Sequence, residues 1–387
     1  MRLGLERILD DHIHLIRGSR VGLIVHPASI NSRYQHAADL FYNRSDIHLT
    51  ALFGPQHGIR GETQDNMIEW QGFIDRRTQL PVYSLYCETR RPLPDWLTDL
   101  DVLVFDVQDV GTRVYTFIYT MALAMQACAA EGKRFIVLDR PNPIGGDAVE
   151  GNILDPNYAS FVGLYPIPMR HGMTVAELAL MFNSEFSIGC ELNVVPMQGW
   201  SRNQWWDSTG LPWVMPSPNM PTLDTATVYP GAVIFEGTEV SEGRGTTRPF
   251  ELIGAPYIDP YELTEALNDL NLPGVYLRPA YFQPTFHKYC GQLCGGLQIH
   301  VTDRRAFKPY LCALAILQNI YQLYQEKFRW KQPPYEYVED KLPIDVICGT
   351  DAIRQGIETG VELRQLEESW LAELHEFVEK RQKYLLY

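Results

Sequence analysis

Asp101-Val102-Leu103-Val104-Phe105 is an apolar run of strand length, and the polar segment Asp106-Val107-Gln108-Asp109-Val110-Gly111-Thr112-Arg113 follows without a break. A short run of Val, Leu and Phe bounded by polar residues fits a strand buried on both faces, as in a parallel sheet. The same pattern recurs on either side. Upstream, residues 21–25 and 48–53 read as strands separated by a helix over 33–43, and 82–85 reads as a weaker third strand. Downstream, 115–130 reads as a helix stopped at Gly132, and 135–138 as a fifth strand. Strands alternating with helices imply a parallel sheet with helices on both faces. Such sheets bind ligands beyond the C-terminal ends of their strands. Three polar loops fall at those ends: 54–64, 106–113 and 139–146.

Past Gly145-Gly146 the texture changes. Thr174-Val175-Ala176-Glu177 fits a capping box opening a helix. A strand is expected at 192–195, then a Pro-, Trp-, Asn- and Gly-rich stretch over 196–230 that reads as a long ordered loop, a kind that is usually functional. Residues 231–235 and 296–301 read as strands, 305–328 and 361–383 as helices. The expected organisation is an α/β domain over residues 1–146 and a second α/β domain over 147–387, with a cleft between them.

The chain has 387 residues, 45% of them hydrophobic, which is ample for a large core. Its net charge of −14 argues against nucleic-acid or anionic-membrane partners, because both need a basic surface. An anionic ligand in a local arginine pocket remains compatible with it. Seven scattered cysteines read as buried thiols of a reducing compartment rather than a disulfide framework. Residues 1–20 lack a continuous apolar core and carry Asp10 and Asp11, so no secretory signal is expected and the chain reads as cytoplasmic. No dinucleotide fingerprint, Walker A motif, nucleophile elbow or zinc-binding helix motif is present.

Several loops carry candidate chemistry. In Phe53-Gly54-Pro55-Gln56-His57-Gly58-Ile59-Arg60-Gly61-Glu62, the glycines let backbone approach a ligand, and His57 and Glu62 suit acid, base or orienting roles. A glycine-rich turn with a surface histidine is the plainer reading. Asp106, Gln108, Asp109 and Arg113 share one strand end; paired carboxylates beside an arginine suit acid–base work, and equally a structural ion pair with a helix cap. Asp139-Arg140-Pro141-Asn142-Pro143 is a rigid loop that positions Asp139 and Asn142, or only holds itself together. Arg170-His171-Gly172-Met173-Thr174 precedes a helix N-terminus. Glu236-Gly237-Thr238-Glu239-Val240-Ser241-Glu242-Gly243-Arg244-Gly245-Thr246-Thr247-Arg248 alternates three carboxylates and two arginines with glycines and suits a loop clamping hydroxyls and an anion, an exposed solvated loop being the plainer reading. Trp200, Trp205, Trp206, Trp213 and Tyr229 fit either sugar stacking or loop packing.

Taken in order, FGPQHG at 53–58, DVQDVGTRVY at 106–115, LDRPNPIGG at 138–146, Glu150-Gly151, PMRHGMT at 168–174, PSPNMPTLD at 216–224 and FEGTEVSEGRGTTRPF at 235–250 resemble the NamZ family of exo-acting β-N-acetylmuramidases, much of it long catalogued as a domain of unknown function. The resemblance spans almost the whole chain. It implies a Rossmann-like N-terminal domain packed on a second α/β domain, with the active site in the cleft. It implies release of terminal N-acetylmuramic acid from β-1,4-linked N-acetylglucosamine in peptidoglycan fragments, within cell-wall recycling, with no metal or nicotinamide cofactor. The lactyl carboxylate of the substrate needs an arginine, and Arg60, Arg113 and Arg244 are candidates. The family's glutamate before His-Gly is here Gln56, which cannot exchange a proton as a carboxyl does. The acid then falls to Glu62 or Asp109, with Glu242 or Asp139 as base or nucleophile. Gln56, His57, Gln108, Asn142, His171 and Asn219 are left to bind and orient the sugar. The alternatives are a non-catalytic amino-sugar or muropeptide-binding protein, and a metal-dependent hydrolase built on Asp106, Asp109 and His57.

Overall fold

The computed structural model describes residues 1–65 and 67–387. Its strands in chain order are β1 (Arg20–Val25), β2 (His48–Gly54), β3 (Phe73–Ile74), β4 (Pro81–Ser84), β5 (Val102–Asp106), β6 (Arg134–Leu138), β7 (Glu150–Ile153), β8 (Pro168–Arg170), β9 (Leu192–Val195), β10 (Leu252–Ala255), β11 (Val275–Phe282) and β12 (Cys294–Val301). Seven of them form one sheet in the order β3-β4-β2-β1-β5-β6-β9, parallel except for the edge strand β3. The central strands are the apolar runs of the sequence. Every residue of β5 is buried, as is all of β1 beyond Arg20, which is why they read as continuous rather than alternating.

The chain builds outward from β1 through β2 to β4, then returns to the other side of β1 through β5, β6 and β9. That reversal is the doubly wound arrangement, and its switch point lies between β1 and β5. The sheet takes its last strand, β9, from beyond residue 146. The helix Phe117–Ala130 is buried nearly all round, with ten of its fourteen residues inaccessible, because it lies under further helices as well as on the sheet. The helix Val175–Glu185 opens with the expected capping box: Thr174 Oγ1 accepts from Glu177 N–H, and the Glu177 carboxylate accepts from Thr174 N–H.

The remaining part carries a three-stranded antiparallel sheet, β10-β12-β11, and several helices. Residues 231–235, expected as a strand, are instead the end of the helix Leu223–Ala232 running into a 3-10 turn over Val233–Gly237. The segment is buried throughout, so it lacks the one-sided periodicity that separates a helix from a strand. Gly231 makes the packing possible: a Cβ there would lie 1.9 Å from the Pro309 carbonyl oxygen of the helix Pro309–Leu323. The turn delivers Glu236 to the edge of a cleft. Among the described residues, no helix is long and apolar enough to cross a membrane.

Candidate active site

A cleft opens beyond the C-terminal ends of β2 and β5. Gln56 and His57 reach it from the end of β2, and residues 114–117 from the segment between β5 and the following helix. Ser217 and Asn219 come from the long loop, Tyr229 from the helix Leu223–Ala232, Glu236 from the turn that follows it, and Arg244 and Phe250 from the stretch before β10. Tyr335 and Glu336 close the wall from the segment between the helices Pro309–Leu323 and Pro343–Cys348. Three of these lining residues, His57, Phe250 and Glu336, hold a left-handed backbone with φ of 70°, 65° and 45°. Such strain in residues other than glycine persists where the surroundings enforce it, and it clusters at functional sites.

Two carboxylates face the cleft in different settings. Glu236 accepts from Arg244 Nη2 at 2.7 Å and from the Tyr335 hydroxyl at 2.8 Å. Glu336 accepts from the Tyr86 hydroxyl at 2.9 Å, and Gln56 Nε2 lies 3.5 Å from its other oxygen. Burial raises the Glu336 carboxyl to about 7; the Tyr86 hydrogen bond pulls it down, and the neighbouring Glu236 charge pushes it up. Gln56 is fixed from its other end by Thr116, whose hydroxyl donates to Gln56 Oε1 at 2.8 Å. Thr116 is the N-cap of the helix Phe117–Ala130 but makes no side-chain cap, so a usual helix-stabilising bond is given up to hold Gln56.

His57 shares a 2.9 Å hydrogen bond with the Thr63 carbonyl through Nδ1, so Nδ1 carries the proton and Nε2 is left as an acceptor. Burial lowers its pKa to about 4, so the ring is neutral at neutral pH. Asn219 Nδ2 donates to the Gln64 carbonyl at 3.1 Å, tying the long loop to the loop after β2. Arg244 is shared between two carboxylates. Besides Glu236 it reaches Glu242 through Nη1 at 3.2 Å and lies over the Phe250 ring at 5.0 Å, while its Nε has no protein partner among the described residues.

Of the residues singled out in the sequence, Gln56, His57, Asn219 and Arg244 line this cleft. Tyr229 and Glu236, also quoted there, line it too, and the other polar candidates lie elsewhere. Glu62 folds back over the turn and accepts from Arg60 N–H, and the turn favours glycine at Gly58 because its φ is +83°. The Arg60 side chain pairs with Asp75 at 2.8 Å. Arg113 is wholly buried and donates to the carbonyls of Asn152, Ile167, Ile347 and Cys348. Gln108, Asp109, Asn142 and His171 lie in a buried lattice that ties the strand-end loops together. Gln108 donates to the Asp109 and Pro141 carbonyls, Asp109 accepts from Gly111 N–H and lies 3.4 Å from His171, and Asn142 donates to the Met173 carbonyl. Asp106 is held in a two-point pair by Arg140 at 2.6 and 2.8 Å, rather than Arg140 pairing with Asp139.

Asp139 accepts from Thr174, Ala176 N–H and the Tyr387 hydroxyl, and burial raises its pKa to about 7. Glu242 is inaccessible and held by Lys288 at 2.8 Å, His287 at 3.3 Å and Arg244. Trp200 and Trp206 are buried in packing, and of the named aromatics Tyr229 lines the cleft. Sequence reasoning passed over Glu336, Tyr335 and Tyr86, and it quoted Glu236 without giving it a role. The signal available for Glu336 was a carboxylate between two tyrosines just after Pro333-Pro334, in a loop that follows no strand.

A family model described as exo-β-N-acetylmuramidase NamZ, N-terminal, matches residues 21–224, and its C-terminal counterpart matches residues 227–387. The chain is 49% identical over 387 residues to the peptidoglycan β-N-acetylmuramidase NamZ of Bacillus subtilis (strain 168), covering 100% of this chain and 91% of that protein. Two crystal structures of DUF1343 family proteins from Bacteroides fragilis are similar over 100% of this chain and 98% of theirs. One has a TM-score of 0.90 at 35% identity, the other 0.78 at 29%.

Proposed function

This chain belongs to the NamZ family of exo-β-N-acetylmuramidases, and from that premise we propose that its cleft removes terminal β-linked N-acetylmuramic acid from peptidoglycan fragments. The chain is a glycosidase of the muramidase class. The observation that carries the reading is the pairing, in one cleft, of two carboxylates, Glu236 and Glu336, with an arginine, Arg244, that retains an uncommitted N–H. Glycoside hydrolysis needs two carboxyl groups flanking the scissile bond. Muramic acid differs from glucosamine by a lactyl carboxylate, which an arginine fork is suited to hold.

Of the arginines considered from sequence, Arg244 is the one in the cleft wall, and it is the proposed contact for that carboxylate. His57 Nε2, as an acceptor, and the Asn219 amide would orient hydroxyl and acetamido groups, while Tyr229 and Phe250 offer apolar faces to the ring. Glu242 would hold Arg244 in place rather than touch substrate. Asp109, Asp139, Gln108, Asn142, His171 and Arg113 would hold the loops, and Glu62 with Arg60 would shape the turn that presents Gln56 and His57. All seven cysteines are free thiols, which supports a reducing compartment and a role in recycling imported wall fragments.

The test is incubation of the disaccharide N-acetylmuramic acid–β-1,4–N-acetylglucosamine with the purified protein, followed by mass spectrometry. Equal release of the two free sugars is expected. An unchanged disaccharide, bound or unbound, would contradict the assignment.

A further inference from the structure

Gln56 lines the cleft, and its amide cannot supply the proton that glycoside hydrolysis needs. The Gln56 amide nitrogen instead lies 3.5 Å from a carboxyl contributed by a distant part of the chain, 280 residues on. Resting on the muramidase reading above, we propose that Glu336 is the general acid of this cleft, with Gln56 and Tyr86 positioning its carboxyl. Glu336 lines the same cleft as Gln56 and Glu236 and is held from both oxygens, by Tyr86 Oη at 2.9 Å and Gln56 Nε2 at 3.5 Å. Its backbone is held at φ of 45°, and its N–H points at the Met67 sulfur at 3.4 Å, so the side chain is aimed by strain and contact together. Tyr86 is anchored in turn by Arg90, whose guanidinium lies 4.1 Å over its ring and 4.4 Å over that of Tyr337.

The charged and titratable groups facing Glu336 are Tyr86, Arg90 and Glu236, with Tyr335 and Tyr337 as its chain neighbours. Only Arg90 favours ionisation by charge; burial and Glu236 oppose it and keep the carboxyl protonated up to about pH 7. A carboxyl so placed can give its proton at neutral pH. In the step, the bond between C1 of muramic acid and the glycosidic oxygen breaks, and its electron pair goes to that oxygen. The oxygen takes the Glu336 proton and leaves as the hydroxyl of N-acetylglucosamine. One water is consumed over the cycle: its hydroxyl ends on C1 and its proton restores Glu336. Glu236, ion-paired with Arg244, is the second carboxylate that lines the cleft.

The experiment compares the disaccharide with para-nitrophenyl β-N-acetylmuramic acid, whose nitrophenolate departs without needing a proton. Glu336→Gln should slow disaccharide cleavage by about 10²–10⁴-fold and the nitrophenyl substrate far less, and the fall in kcat/KM above about pH 7 should vanish. Tyr86→Phe removes a donor to the carboxylate and should move that fall to higher pH. Equal losses on both substrates with the pH profile intact, or full disaccharide activity in Glu336→Gln, would overturn the assignment of Glu336 alone. A wild type that cleaves neither substrate would instead overturn the muramidase reading. If Glu336→Gln does not fold, Tyr86→Phe decides, and an unmoved profile overturns the proposal.

Discussion

Arg244 donates to Glu236 at 2.7 Å and is braced from the other side by Glu242 at 3.2 Å, so a cleft-facing carboxylate and a buried one share a single guanidinium. The arrangement fixes the arginine's plane before any ligand arrives. A lysine keeps the charge but not the planar fork. Arg244→Lys should therefore lower kcat/KM for muramic-acid substrates by about 10–100-fold, the value of one charge-assisted hydrogen bond. Steady-state kinetics with the nitrophenyl muramic substrate checks this, and an unchanged value would remove Arg244 from substrate binding.

Glu242 is the anchor of that brace. Lys288 and Arg244 hold its carboxyl well below the ordinary 4.5 against the opposing effect of burial. Its contribution to stability is present above pH 4.5 and is lost as the pH falls toward the depressed folded-state value. Glu242→Gln leaves Lys288 with an uncompensated buried charge and should cost about 3–5 kcal/mol. Urea unfolding at neutral pH measures it, and the gap between wild type and variant should narrow below pH 4.5.

Asp139 has the opposite sign. Burial raises its pKa from 3.8 to about 7, so the folded protein holds this proton more tightly than the unfolded chain does. The stability it contributes is full below 3.8 and is lost as the pH rises through about 7. Relative to Asp139→Asn, the wild type should lose about 3–4 kcal/mol between about pH 4 and pH 8. Unfolding curves at the two pH values test this; parallel behaviour of the two proteins would contradict it.

Arg113 reads in the sequence as a candidate anion receptor, but it donates to four carbonyls from Asn152, Ile167, Ile347 and Cys348 and ties segments up to 235 residues apart. Arg113→Met should destabilise the fold by about 3 kcal/mol or more, since several buried acceptors lose their partner. KM of the folded variant should stay within about twofold. A large KM change with unchanged stability would return Arg113 to the binding site.

The doubly wound sheet is legible because β1 and β5 are buried on both faces, and uninterrupted apolar runs of that length have few other homes. The same signal misleads at 231–235, where an equally apolar segment is a buried helix end. In the cleft, Gln56 and His57 are legible because glycines and charge crowd around them at the end of β2, and Arg244 because glycines flank it in a charged loop. Glu336 is not, because its loop follows no strand and its partners lie hundreds of residues upstream. Tertiary partners distinguish Arg113 from Arg244, and local sequence does not carry them: both are buried near glycines, yet Arg113 is spent on four backbone carbonyls while Arg244 pairs with two carboxylates and lines the cleft.

The most direct test of the central claim is nitrophenol release from para-nitrophenyl β-N-acetylmuramic acid, run beside the N-acetylglucosamine analogue. The cleft described here should hydrolyse the first and leave the second essentially untouched, because only the first carries the carboxylate that Arg244 is placed to hold. Equal turnover of the two, or turnover of neither, would contradict the account.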